Sequence, residues 1–173
     1  CDTLLLSVGL LPENELSRKA NVKLSRVTGG PEVDESMQTS ISGIFTCGNV
    51  LHVHDLVDNV TTESYTAGRN ASDYIKGIYH AGNSIEIFAT DGVRYTVPST
   101  INPENIGNVI DVRFRVGEVH KSAYISVYFD DVREMHLKKK ILTPGEMESV
   151  KLTKAVLDKY SNCKKITIKV EKE

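Results

Sequence analysis

Residues 39–55 read TSISGIFTCGNVLHVHD, and two chemistries compete for them. In one, His52 and His54 share a face of an extended segment and gather around a metal ion with Asp55 and Cys47. In the other, a short apolar strand over 44–47 runs into a turn at Gly48–Asn49 that presents its backbone to a cofactor. The metal reading is short of donors. A closed site takes about four ligands, and His80, His120 and His136 fall in other elements. Cys47, at a strand end, reads as a buried and inert thiol rather than a nucleophile. The turn reading uses more of the residues and implies a fold in which strands and helices alternate.

Upstream, Leu4–Val8 is a continuous apolar run, the pattern of a strand buried on both faces of a parallel sheet. A turn region over 9–14 contains Pro12, a short helix is predicted over 15–20, and T28-G-G-P31 marks a turn inside a hairpin-like segment over 21–35. Downstream, Val60, Ser64, Ala67, Ala71, Tyr74, Ile75 and Ile78 recur at helical spacing. That predicts a helix over 60–78, capped by Asn59 or Thr61 and stopped at Gly77. A strand such as Leu4–Val8 needs neighbours that this chain has few segments to supply. The chain therefore reads as the C-terminal part of a longer protein.

The pattern changes near His80-Ala81-Gly82-Asn83. From there apolar residues alternate: 84–90 and 94–98 around an Asp91-Gly92 turn, then 108–116, 123–129, 134–142, 148–152 and 165–170, with a short helix over 153–160. Strands about 8–12 residues apart read as a sandwich of the immunoglobulin-like kind. The Lys138-Lys139-Lys140 run fits a solvated edge that discourages strand-to-strand aggregation. No catalytic constellation appears in this half.

Composition narrows the partners. With 21 basic and 23 acidic residues the formal net charge is -2, so no field favours nucleic acid or anionic lipid. Three cysteines, Cys1, Cys47 and Cys163, form no CxxC, which gives no ground for a redox dithiol or zinc ribbon and suits a reducing, cytoplasmic compartment. The apolar start is far short of the roughly 20 residues that span a bilayer, and no signal peptide is recognisable.

Thr39, Gly43, Ile44, Phe45, Gly48 and Asn49 resemble a motif of the FAD-dependent pyridine nucleotide (disulfide) oxidoreductases, T-x-x-P-G-I-[FY]-A-x-G-D. Asn49 stands where that family usually has Asp, and Ser42 where it has Pro. Residues 1–14, CDTLLLSVGLLPEN, resemble the family's D-x-[VL]-[VL]-x-A-x-G-x-x-P-N segment, which returns the chain to the FAD domain. The wording C-G-N-V-L-H-V-H-D-L-V-D is similar to that of FAD/NAD(P)-dependent dehydrogenases associated with glycerol-3-phosphate or opine-type oxidation, which work in multi-subunit assemblies.

The resemblance covers roughly residues 1–80. It implies an α+β or α/β chain: a partial FAD/NAD(P)-binding Rossmann-like region over 1–80, then the sandwich over 83–173. Gly48 and Asn49 would meet the ribityl side of the flavin. Asp58, with the backbone of Asn59 and Val60 at a helix N-terminus, would meet its pyrimidine side, and His52 and His54 would neighbour the ring. FAD and NAD(P) are the implied cofactors. The implied partners are the N-terminal remainder of the same protein and a dehydrogenase subunit. The family's GxGxxG turn and its redox CxxC are missing here, so the adenine half of the site and disulfide chemistry fall outside this chain. An alternative role is a non-catalytic sandwich that docks a partner subunit.

Overall fold

Period-two alternation in the second half becomes two β-sheets in a computed structural model, which describes residues 2–78, 80 and 82–172. The strands are β1 Ile85–Thr90, β2 Val93–Val97, β3 Thr100–Ile101, β4 Val109–Val116, β5 His120–Phe129, β6 Val132–Leu142, β7 Glu148–Thr153 and β8 Lys165–Glu171. One sheet has the order β3-β1-β8-β5-β6 and the other β2-β4-β7. All pairings are antiparallel except β1 with β8, which run parallel. The first and last strands of the region are thus neighbours.

Alternate residues of β4 explain how the layers stack. Val112, Phe114 and Val116 face inward, joining Ile125, Val127 and Phe129 of β5 and Ile166, Ile168 and Val170 of β8 in one buried cluster. Burying each such side chain is worth about 1.5–3 kcal/mol. Helix α3, Lys154–Lys159, starts at Thr153, whose hydroxyl accepts from Val156 N–H, and places Leu157 in the same core. Arg113 and Arg115 alternate onto the opposite face.

That face is covered, not solvated. Tyr95 and Val97 of β2 pack with Val33, Met37, Phe45, Cys47, Leu51 and Ala67 in a second cluster. The N-terminal residues therefore form a third layer over the three-stranded sheet. They comprise α1, Glu15–Lys19; a ladder of single bridges, Leu24 with Pro31, Val33 with Thr39 and Gln38 with Phe45; a 3-10 turn, Gly48–Val50; and α2, Val57–Ile75. Buried Glu35 ties the layers as well, accepting from Asn102 N–H and Asn105 Nδ2, each at 2.7 Å.

Four expectations are corrected. Leu4–Val8 forms no strand; Leu5, Val8 and Leu11 are each 90% exposed, because nothing among the described residues pairs with the run. Residues 44–47 make only the single bridge of Phe45. Helix α2 begins three residues earlier than its apolar stripe, at Val57, and its N-cap is Leu56, with no side-chain cap from Asn59 or Thr61. It ends at Ile75 rather than 78, although Gly77 does stop it: at φ +70 its N–H reaches Tyr74 O while Ile78 N–H reaches Asp73 O. Cys1 and Ala81, cited in the sequence readings, lie outside the described residues.

Candidate functional site

The two segments singled out at the start of the chain and at 39–55 meet through one buried amide. Asn14 Nδ2 donates to Gly29 O at 3.1 Å and to Val50 O at 2.9 Å. Gly30 closes the contact, because a Cβ there would overlap the carbonyl of Leu51. The T28-G-G-P31 turn thus presses against the 3-10 turn and fixes where residues 48–51 sit.

Gly48 opens that turn at φ +69, in the left-handed region, and a Cβ on it would lie 3.1 Å from Val60 Cγ1. Both facts require glycine without reference to a ligand. Asn49 is exposed, and its Oδ1 accepts from His54 N–H at 3.1 Å. One of the oxygen's lone pairs is therefore used inside the protein, and its NH2 group has no protein hydrogen bond among the described residues. Asp58 is exposed in the first turn of α2, while Asn59 and Val60 are half-buried, with Asn59 N–H donating to Leu56 O at 3.2 Å. The five residues thus line one turn and the helix start that follows it. A glycine turn beside the positive end of a 19-residue helix, with an unengaged amide donor, fits a polyhydroxylated, electron-rich group such as the ribityl and pyrimidine parts of a flavin.

The centre of the region is a residue the motif reading passed over. Glu63 is fully buried on α2, and its carboxylate accepts four N–H donors. Oε1 takes His52 Nε2 at 2.9 Å and Arg113 Nη1 at 3.1 Å; Oε2 takes Gly48 N–H and His54 Nε2, both at 2.9 Å. Burial by itself would raise the Glu63 pKa, but the hydrogen bonds from His52 and His54 outweigh it and hold the group at about 2. Burial first, then the nearby His54 and Arg113, lowers the pKa of His52 despite Glu63 beside it. The site is thus an ionised carboxylate, a paired guanidinium and a neutral His52. With both Nε2–H groups committed to Glu63, neither Nδ1 has a hydrogen-bond partner among the described residues. The signal for Glu63 was present in the sequence: a carboxylate three residues after Val60 and four before Ala67 sits on the helix's own buried stripe.

His52, His54 and Glu63 bring three donor atoms within 4.8 Å of one another. In composition the set suits a divalent ion. In geometry each carboxylate oxygen already accepts two N–H groups, and one of the two on Oε1 comes from the Arg113 guanidinium. Asp55 and Cys47 are elsewhere. Asp55 pairs with Arg115 and accepts from Met147 N–H at 2.6 Å, and Cys47 Sγ lies 3.6 Å from Ser64 Oγ. Arg115 also donates to Val53 O, Pro144 O and Gly145 O, joining the loop after His52 to the turn between β6 and β7.

Comparison with known proteins agrees with the segments that meet at Asn14. Residues 1–73 match the family model for pyridine nucleotide-disulphide oxidoreductases. The match supports a general oxidoreductase-family role for this part of the chain, in a family typically associated with flavin and NAD(P). No curated protein and no solved structure matches the chain. Among the described residues no helix is long and apolar enough to cross a membrane.

Proposed function

We propose that the chain is the C-terminal portion of a cytoplasmic FAD-dependent NAD(P)H oxidoreductase. The observation that carries the reading is the Gly48–Asn49 turn leading into the N-terminus of α2 inside a segment that matches this family over residues 1–73. The Asn49 NH2 group is available to a ribityl hydroxyl. The first N–H groups of α2 carry roughly half a positive charge, which favours an electron-rich pyrimidine edge, with Asp58, Asn59 and Val60 around it. When bound, the flavin would exchange a hydride with a nicotinamide; the residues here bind and orient it. The glycerol-3-phosphate or opine-type dehydrogenases are the subgroup favoured by the sequence wording.

Residues 1–80 are the flavin-side unit in this reading and residues 83–173 an immunoglobulin-like sandwich. The sandwich assignment is supported by the three-stranded sheet facing the β8-β5-β6 strands across one core. The exposed run over 4–11 suits pairing with strands from the N-terminal remainder of the protein. A partner dehydrogenase subunit is the second reading, for the sandwich alone. It is favoured by the open edge of β6, where Val132, Leu137 and Ile141 are exposed.

The test is absorbance of the purified full-length protein. A flavin band near about 450 nm that bleaches on adding NADH or NADPH is expected, since the cofactor carries the redox chemistry. A colourless protein that gains no flavin on reconstitution refutes the proposal.

A further inference from the structure

Glycine at φ +69 has many backbone alternatives, so something other than its own preference must orient the Gly48 peptide. The bond from Gly48 N–H to Glu63 Oε2, at 2.9 Å, does this from beneath the turn. His54 extends the control. Its ring donates to the same oxygen, and its backbone N–H holds Asn49 Oδ1 at 3.1 Å. The Cys47–Gly48 peptide and, through His54, the side chain of Asn49 are thus both set by one carboxylate.

That carboxylate is anchored from outside the N-terminal layer. Arg113 is buried on β4, between Val112 and Phe114 of the sandwich core, and its strand is paired on both sides: Arg113 stands opposite Val97 of β2 and Ser149 of β7. Its backbone is therefore held by the sheet on both sides. Its Nη1 meets Glu63 Oε1 at 3.1 Å. A charge-assisted bond made out of water is strong and directional, so the sheet's position is passed to Glu63 and from Glu63 to the turn.

We propose that Glu63 is the positioning residue of the Gly48–Asn49 turn and that Arg113 makes the β-sandwich a working part of the cofactor site. The cofactor clause rests on the flavin reading above; the positioning clause does not. The role assigned to the second half of the chain changes accordingly, from a docking module attached to a flavin domain to the support that holds one of its contacts in register.

Two measurements separate the clauses. In the 173-residue chain, the backbone amide signals of Gly48 and His54 and the ring 15N signals of His52 and His54 are followed in Glu63→Gln, Arg113→Met and Arg113→Lys, with far-UV circular dichroism as the check on folding. Large shifts at Gly48 and His54 in the first two, partly restored in Arg113→Lys, are expected. Folded variants that leave the Gly48 and His54 amides unmoved overturn the positioning role. In the full-length protein, the same substitutions are expected to weaken FAD rebinding by about tenfold or more, the usual consequence of losing a hydrogen bond to a charged group. Arg113→Lys is expected to recover part of that loss. Unchanged FAD affinity alongside shifted amides overturns the cofactor clause alone, and a wild-type protein that never takes up flavin sinks the flavin reading while the amide data still decide the positioning. Should Glu63→Gln fail to fold, the Arg113→Met and Arg113→Lys pair carries both readouts.

Discussion

Replacing Glu63 by Gln should be among the most costly single changes in this chain, and its cost should vanish in acid. The substitution keeps the shape but removes the charge, and it turns one oxygen into an NH2 group facing N–H donors. The magnitude follows from the ionisation itself. A fall from the ordinary 4.5 to about 2, at about 1.4 kcal/mol per pKa unit, is about 3 kcal/mol. Breaking a buried pair from one side costs a similar 3–5 kcal/mol or so. The sign is fixed by the direction. A carboxylate whose pKa is depressed on folding contributes stability that is full above its unfolded pKa and is lost as pH falls through the folded one. The stabilisation should therefore be whole above about pH 5 and decline between there and about pH 2. Urea unfolding of wild type and Glu63→Gln, followed by circular dichroism from pH 7 to pH 3, measures it. A difference below about 1 kcal/mol at pH 7, or one that stays constant with pH, would refute the reasoning. His52, also depressed, adds loss of the same sign as pH drops below 6.5, whereas Glu35, raised chiefly by burial and then by Asp34, works the other way.

Three further outcomes are expected. Gly30→Ala should destabilise by about 3 kcal/mol or more in the same urea assay, because the new methyl overlaps the Leu51 carbonyl and the backbone must move. Phe114→Ala should cost about 3–5 kcal/mol, since Phe114 is wholly buried between the sheets. The double change Leu5→Lys, Leu6→Lys should leave the thermal midpoint of the isolated chain, read by circular dichroism, within a few degrees of wild type, because both leucines are exposed.

Most of the second half was legible, for a physical reason. Each long strand has one face in a dry core, and burial on one face writes a period of two into the sequence, so β1, β2 and β4–β8 were found within a few residues of their ends. The two-residue β3 is too short to show a period. The third layer was not legible. In D111-V-R-F-R-V116 the alternation marks a strand but says nothing of what lies over its polar positions, and only the fold shows that Arg113 and Arg115 are covered by residues far away in sequence. Leu4–Val8 misled in the opposite sense: an apolar run states a preference for burial but does not supply the strands that would bury it. For the site, Gly48, Asn49, Asp58, Asn59 and Val60 do fall along one turn and helix start. Glu63 escaped because a single acidic residue inside a helical stripe carries little weight without its partners, and those come from His52, His54 and a strand 50 residues on.

The parallel pairing of β1 with β8 sets the order in which the chain can become complete. Strand β8 lies inside the five-stranded sheet, hydrogen-bonded to β1 on one side and β5 on the other, yet it follows both of them in the chain. Until it arrives, β1 and β5 each keep an open edge and the inner faces of Ile87, Ile125 and Val127 remain uncovered. Long-range pairings of this kind are slow to form and leave sticky intermediates. Closure of the five-stranded sheet therefore waits on β8, and a chain cut before Lys165 would be left with that sheet in two pieces.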